Sequence, residues 1–189
     1  MDNQAIFLDR DGTLMEDRGY ICDFSEAAIF PFAVDALRLM NENNFKVIVV
    51  TNQSSIARGI CAEDQVREIH RQIQKFFLDR EAVIDDFYYC PYHIDGVVEK
   101  FKKKHECRKP SPGMLLQAAK DYHIDLSRSF LIGDNECDIL AGQNAGCRSI
   151  LVLTGKGEQT RTELKQKNIK PYLITANILT AAENIIWNN

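Results

Sequence analysis

The chain contains several unbroken apolar segments. The first, 5–8, reads Ala-Ile-Phe-Leu and is followed at once by polar residues. A short apolar run without alternation is typical of a strand buried on both faces, as in the middle of a parallel sheet. Similar segments predict further strands at 45–50, 86–89, 129–132 and 149–153.

Segments with helical spacing separate these strands. Apolar residues recur every three or four positions in 32–43, 63–80, 112–122, 136–144 and 178–186. We predict that Ser111 caps the third of these helices, because a proline follows it. Segments 14–24 and 91–110 show neither pattern and are predicted to be loops, and 158–170 is polar with no element predicted. The alternation predicts an α/β fold with a doubly wound, Rossmann-like parallel sheet, and we expect one domain over 1–189.

Composition and charge exclude several classes of protein. The chain has 189 residues, is 45% apolar and carries a net charge of -4, which is ordinary for a globular protein and gives no basic surface for nucleic acid. No apolar stretch reaches the length of a membrane span, and the N-terminal residues do not resemble a signal peptide. The six cysteines are scattered, which favours a reducing compartment, so we expect a cytoplasmic protein whose special cysteines bind metal or act in catalysis.

Polar side chains follow three of the predicted strands. Asp9 and Asp11 follow the first, Thr51 and Asn52 the second, and Asp134 the fourth. Ligands of open α/β sheets bind at this edge, and with the strand order 3-2-1-4-5 the first and fourth strands are neighbours. Two carboxylates about 4 Å apart repel by roughly 4 kcal/mol at an effective dielectric near 20. The pattern predicts a Mg²⁺ site, since Mg²⁺ prefers oxygen ligands; a surface Asp-Gly turn is the alternative for the first pair.

Four short motifs occur in a characteristic order. They are Asp-x-Asp-Gly-Thr at 9–13, Thr-Asn at 51–52, Lys109, and Gly-Asp-x-x-x-Asp at 133–138. Together they resemble the motifs of the haloacid dehalogenase-like phosphohydrolases, over residues 5–155. The longer segment Thr-Asn-Gln-Ser-x-Ile-Ala-Arg-Gly is similar to a compact branch of that family, which includes heptose-bisphosphate and histidinol-phosphate phosphatases. Membership of that branch implies a fold with no large cap domain.

The residue types at the motif positions suit a two-step phosphoryl transfer, and the resemblance implies the same roles. Asp9 is the expected nucleophile, giving an aspartyl-phosphate. Asp11 protonates the leaving oxygen and then deprotonates the attacking water. Asp9, Asp134 and the main-chain carbonyl of Asp11 are expected to hold Mg²⁺. Thr51 and Lys109 are expected to donate to the phosphoryl oxygens.

The resemblance also implies a set of substrate contacts. These are Asp17, Arg18, Gly19, Tyr20, Asn52, Ser54, Arg108 and Asn135. Arg108 is the expected ligand of a second phosphate, because a guanidinium binds phosphate through two parallel hydrogen bonds; a solvated surface charge is the alternative. Asp138 either supports the metal site, through water or Lys109, or is simply a carboxylate in the first turn of a helix.

Residues that can bind zinc lie within the loop at 91–110 and directly before it. The family pattern is Cys-x-His followed by Cys-x-Cys, and the matching positions here are Cys90, Tyr92, His105 and Cys107. Because His93 can replace Tyr92, we expect a structural Zn²⁺ site made of Cys90, His93, His105 and Cys107. A loop tethered without metal is the alternative.

These observations predict a Mg²⁺-dependent phosphomonoester hydrolase that acts as a monomer on a small phosphorylated sugar, without nucleic-acid or membrane partners. The resemblance implies the 7-phosphate of a heptose 1,7-bisphosphate as the target. Histidinol phosphate is the alternative substrate: Glu16 and Asp17 would suit its amine, whereas Arg108 favours a second phosphate. A non-catalytic, zinc-stapled binding module is an alternative of a different class.

Overall fold

One parallel sheet forms the centre of the protein, and a computed structural model describes residues 3–187. Its strands are β1 Ala5–Leu8, β2 Lys46–Asn52, β3 Asp86–Cys90, β4 Phe130–Gly133, β5 Arg148–Val152 and β6 Leu173–Thr175. Their order is β3-β2-β1-β4-β5-β6, and every pairing is parallel. The predicted order of the first five strands is therefore confirmed, with β1 and β4 side by side.

Helices connect successive strands of the sheet and follow its last strand. They are α1 Ala33–Glu42, α2 Ser54–Ala57, α3 Glu63–Leu78, α4 Gly113–Tyr122, α5 Glu136–Ala145, α6 Gly157–Gln166 and α7 Ile178–Trp187. The predicted doubly wound α/β fold is thus confirmed. Among residues 3–187, no helix combines the length and apolar character needed to cross a membrane.

The two faces of the sheet bury separate apolar clusters. Ile6 and Leu8 of β1 pack in one cluster, together with residues of α1, α3 and α7. Ala5 and Phe7 pack in the other, against α4 and α5. All four side chains are fully buried, which explains why β1 is apolar without alternation. The central strands are held rigidly on both sides, and their carboxyl ends are correspondingly fixed.

The structure differs from the sequence-based expectations in several places. Helix α6 lies in the polar segment for which no element was predicted, because it buries only Gly157, Thr160 and Leu164. Strand β6 is a short edge strand with only its last residue buried. The predicted Ser111 cap is wrong: Pro112 occupies the N-cap of α4, and the Ser111 amide donates to the Arg108 carbonyl at 2.9 Å.

Candidate active site

Three carboxylates meet at the carboxyl edge of β1 and β4. Asp9 directly follows β1, and its amide donates to the Ile132 carbonyl of β4 at 2.9 Å. Asp134 follows β4, and Asp138 lies in the first turn of α5. One oxygen from each carboxylate lies within 4.8 Å of the other two. Of the predicted trio of Asp9, Asp11 and Asp134, the strand order brings Asp9 and Asp134 together, and the third carboxylate of this cluster is Asp138 instead of Asp11.

Two glycines let the backbone approach Asp134 closely. A Cβ atom on Gly12 or on Gly155 would lie only 2.2 Å from Oδ2 of Asp134, and both residues have positive φ, +84° and +54°. The same oxygen accepts a hydrogen bond of 2.7 Å from the Lys156 amide. Asp134 is therefore oriented by backbone contacts from two loops.

Lys109 neutralises part of this acidic cluster. Its ammonium lies 2.7 Å from Oδ1 of Asp9 and 2.6 Å from Oδ1 of Asp138, and it donates to the Val50 carbonyl at 2.7 Å. Asn52 holds the Lys109 backbone through two hydrogen bonds of 3.1 Å, one in each direction. Lys109 is 3% exposed, so it reaches the cluster as a fixed, buried charge.

Asp138 uses both carboxylate oxygens for support. Oδ1 contacts Lys109, and Oδ2 accepts from the Asn135 amide at 3.0 Å. The Asn135 side chain in turn accepts from the Cys137 amide at 3.2 Å, so that residues 135–138 cap α5. Of the two readings of Asp138, this geometry favours the one in which it supports Lys109.

The carboxylate of Asp11 is bound by Arg10 and Gln53. Arg10 donates to both of its oxygens at 2.8 to 3.1 Å, and Gln53 donates to Oδ2 at 3.1 Å. Gln53 also donates to the Thr51 hydroxyl at 2.8 Å. Arg10 is only 1% exposed, and its Nη1 atom lies 3.2 Å from Nε2 of His70. Asp11 therefore has hydrogen-bond partners different from those of the three clustered carboxylates, and these partners fix its orientation.

The electrostatics of the cluster favour a bound cation. Burial raises the pKa of Asp9 to about 6, opposed by Lys109 and reinforced by Asp138. Burial and the neighbouring Asp9 raise the pKa of Asp134 to about 8. The pKa of Lys109 is raised above its ordinary value because Asp138 and Asp9 outweigh its burial. One ammonium faces three carboxylates, and an additional positive charge would stabilise them.

A cavity of about 520 Å³ opens above these residues. Its walls include the three carboxylates, Asp11, Thr51, Lys109, and the predicted substrate residues Asp17, Gly19, Tyr20, Asn52, Ser54 and Asn135. Gln53, Cys137 and Lys156 also line it and were not predicted. A larger cavity of about 860 Å³ lies between α6 and β6 at the far edge of the sheet and contains none of the predicted residues.

Comparisons with known proteins identify relatives of this chain. The HAD-hydrolase-like family model matches residues 106–181. The D-glycero-beta-D-manno-heptose-1,7-bisphosphate 7-phosphatase of Pasteurella multocida (strain Pm70) is 42% identical over 154 residues, which cover 81% of this chain and 83% of the relative. The protein of that name in Escherichia coli (strain K12) is also 42% identical, over 80% of each chain.

A solved structure shows the same fold. D,D-heptose 1.7-bisphosphate phosphatase from B. bronchiseptica, complexed with magnesium and phosphate, matches with a TM-score of 0.86 at 28% identity. The match covers 98% of this chain and 99% of that one. The chain belongs to the haloacid dehalogenase-like hydrolases. It is a phosphoric monoester hydrolase of that family and resembles its heptose-bisphosphate phosphatases.

Two predicted substrate residues of this haloacid dehalogenase-like chain lie outside the walls of the cavity. Arg18 is exposed and bonds with Glu16 at 3.0 Å and with the Glu26 carbonyl at 3.4 Å. Arg108 is partly buried and donates to the Tyr92 carbonyl at 3.3 Å. Burial lowers its pKa. Both guanidiniums are bound to neighbouring chain segments in this structure.

The predicted zinc site is not assembled in this hydrolase. Cys90 and Cys107 form a disulfide, and a disulfide sulfur lacks the thiolate charge by which cysteine binds zinc. His93 accepts from the Asp95 amide and His105 from the Cys107 amide, each through Nδ1 at 3.1 Å. The His105 ring stacks on Tyr92, with 4.3 Å between centroids. The residues as arranged do not fit zinc; the loop is tethered by the disulfide.

A second disulfide joins the loop after β1 to the segment after α2. Cys22 and Cys61 are bonded, with their Cα atoms 5.4 Å apart. The sequence-based interpretation of scattered cysteines did not include either disulfide, because the partners lie far apart along the chain. Cys137 and Cys147 are free thiols, and burial raises the pKa of Cys147 to about 12.

Proposed function

We propose that the chain removes the 7-phosphate of D-glycero-beta-D-manno-heptose 1,7-bisphosphate. The observation that carries the phosphatase chemistry is the pairing of Asp9 with the buried Lys109, opposite an Asp11 held separately by Arg10. The two relatives that are 42% identical to this chain over 154 residues carry the name of that activity. The cavity of about 520 Å³ suits a small phosphorylated sugar.

Asp9 and Asp11 divide the chemistry between them. A carboxylate oxygen of Asp9 forms a bond to phosphorus while the phosphorus–oxygen bond to the sugar breaks, and Asp11 gives its proton to the leaving oxygen. Water then attacks phosphorus while Asp11 takes a proton from it. The bond between Asp9 and phosphorus breaks, which regenerates the Asp9 carboxylate and frees inorganic phosphate. Burial raises the pKa of Asp11, which favours the protonated form that the first step requires.

The fixed positive charge of Lys109 balances the charge of the transferred group. The Thr51 hydroxyl lines the same cavity and is oriented by Gln53. Such preorganised donors act where negative charge develops in the transition state. We assign Lys109 and Thr51 to the phosphoryl oxygens.

Asp9 and Asp134 fit a magnesium ion. Both are carboxylates at the cavity wall, both have raised pKa values, and Mg²⁺ prefers such oxygen ligands. We assign them, with the Asp11 main-chain carbonyl, as the protein ligands. When bound, Mg²⁺ would shield the phosphate charge from the carboxylates and orient the transferred group.

Arg108 is proposed to recognise the second phosphate. Its charge lies close enough to Tyr20 and Cys137, two residues of the cavity wall, to interact with both. The Arg108→Ala variant should therefore lose more activity on a bisphosphate than on the same sugar with one phosphate. Equal losses on the two substrates would refute this role.

The test of the proposed function is a comparison of kcat/KM with Mg²⁺ for heptose 1,7-bisphosphate and histidinol phosphate. We expect a preference of about a hundredfold for the bisphosphate, or about 2.7 kcal/mol of transition-state binding. A preference for histidinol phosphate would contradict the substrate assignment. Asp9→Asn separates an enzyme from a binding module, because an enzyme should lose turnover while a binding module should keep its ligand.

Zinc binding stays a prediction for the reduced loop only. Purification with a reductant would free the thiols of Cys90 and Cys107, and metal analysis of that protein would show whether zinc is retained. A reduced, folded protein without zinc would remove the zinc prediction.

A further inference from the structure

The loop between β5 and α6 is hydrogen-bonded to Gly12 and to Asp134. It contains Thr154, Gly155 and Lys156. The Thr154 hydroxyl donates to the Gly12 carbonyl at 2.6 Å, and the Lys156 amide donates to Asp134 at 2.7 Å. These contacts fix the β5–α6 loop relative to the residues that perform the reaction.

Glycine at 155 brings this loop closer than another residue would allow. A Cβ atom there would lie 2.6 Å from the Gly12 Cα atom and 2.2 Å from the Asp134 carboxylate. Lys156, the next residue, lines the cavity. The backbone position of Lys156 is therefore set by its contacts with Asp134 and by the close approach of Gly155 to Gly12.

The Lys156 side chain reaches the loop that follows β1. Its Nζ lies 2.8 Å from Oδ2 of Asp17, while Oδ1 of Asp17 accepts from the Gly19 amide at 3.0 Å. One carboxylate thus connects Lys156 to the turn that presents Gly19 and Tyr20 to the cavity. We call residues 16–20 the substrate loop.

Other side-chain contacts of the substrate loop remain on the same side of the cavity. Arg18 bonds with Glu16 and with the Glu26 carbonyl, both in the segment after β1. The pair of Asp17 and Lys156 instead joins the substrate loop to the loop between β5 and α6. Although burial alone would raise it, the pKa of Asp17 is lowered by its hydrogen bonds with Lys156 and Gly19.

We propose that Lys156 is a positioning residue that holds the substrate loop over the cavity through Asp17. The sugar then meets a loop that is already placed relative to Asp9 and Asp134. This inference rests on the proposed phosphatase activity but not on the identity of the sugar. Exposed ion pairs stabilise a structure only modestly, so the effect belongs to substrate binding and not to folding.

The test uses Lys156→Gln, Asp17→Asn and the double variant, with the sugar phosphate that the wild-type enzyme turns over best. Each single variant should lower kcat/KM about fivefold through KM. The double variant should be no worse than either single variant, because the two residues act as a unit. Lys156→Arg should keep most of the wild-type kcat/KM, since arginine keeps the positive charge.

Two controls separate positioning from other roles. With p-nitrophenyl phosphate, which has no sugar for the substrate loop to contact, the Lys156→Gln variant should keep kcat/KM within about twofold of wild type. Lys165→Gln removes an exposed lysine of the following helix α6, outside this cavity, and should leave activity on both substrates unaffected. Thermal denaturation should show equally stable variants.

Several results would overturn the proposal. Additive losses in the double variant, or no loss in Lys156→Gln, would mean that the ion pair does not position the loop. An equal loss on the aryl phosphate would place Lys156 in the phosphoryl transfer itself. A loss on a bisphosphate but not on the corresponding monophosphate would make Lys156 a phosphate ligand. Failure of wild-type enzyme on heptose 1,7-bisphosphate would refute the proposed substrate and leave this test intact.

Discussion

Replacement of Asp138 by asparagine tests how the structure keeps Lys109 in place. The carboxylate accepts at both oxygens, from the Lys109 ammonium at 2.6 Å and from the Asn135 amide at 3.0 Å. An amide side chain can accept at only one of these positions and would direct a donor at the other. One buried donor would therefore lose its partner.

The size of the effect follows from burial and charge. At 2.6 Å and an effective dielectric near 20, the attraction between Lys109 and Asp138 is on the order of 6 kcal/mol before offsets. The relief of repulsion between Asp138 and Asp9 opposes the loss. Breaking a buried pair costs about 3–5 kcal/mol, and the asparagine oxygen keeps one contact. We expect a loss of about 2 kcal/mol in unfolding free energy.

Catalysis should suffer separately from stability. With Lys109 less firmly directed at Asp9, kcat should fall roughly 10- to 100-fold while KM changes little. Urea denaturation and steady-state kinetics with Mg²⁺ measure the two effects. Glu136→Gln is the matched control, because Glu136 lies in the same turn of α5 and pairs with Lys167 instead. Wild-type stability and kcat in Asp138→Asn would refute the role of Asp138.

Three further predictions concern metal affinity, covalent tethering and pH. Gly155→Ala should raise the Mg²⁺ concentration needed for half-maximal activity at least about tenfold, because its Cβ displaces Asp134; unchanged activation by Mg²⁺ would contradict this. Cys22→Ser should lower the unfolding free energy by up to about 4 kcal/mol under oxidising conditions, since the disulfide closes a separation of 39 residues. In reductant the variant and the wild type should have the same unfolding free energy, and a difference that persists there would exclude the disulfide as its cause. Burial lowers the pKa of His70 to about 3, so between pH 6.5 and that value His70 is protonated in the unfolded chain only. The unfolding free energy of the wild type should therefore fall by about 2 kcal/mol between pH 7 and pH 5, and the His70→Gln variant should lack this part of the pH dependence.

The sequence predicts the centre of the fold better than its edge. Strands β1, β2, β4 and β5 are buried, so their apolar runs are distinct. Strand β6 lies at the edge of the sheet and helix α6 is largely exposed, so neither needs many apolar residues. Tertiary contacts stabilise these elements where the local pattern is weak.

The residues of the site also differ in how well the sequence predicts them. Asp9, Asp134 and Lys109 were predictable because their residue types follow recognised strands and motifs. The roles of Arg10 and His70 depend on a contact between residues 60 positions apart, and the sequence carries no local signal for it. The resemblance to the family's cysteine and histidine pattern predicted zinc at this loop, whereas the structure joins Cys90 to Cys107.

The central claim is that Asp9 becomes phosphorylated. The most direct measurement is acid quenching of the Asp11→Asn variant during turnover of a radiolabelled aryl phosphate. The good leaving group needs little protonation, whereas release of the phosphate from the enzyme still requires a base, so the intermediate should accumulate. We predict label on the peptide that contains Asp9, and none when Asp9 is also replaced by asparagine. Phosphate release without labelled protein, or label that persists without Asp9, would contradict the account.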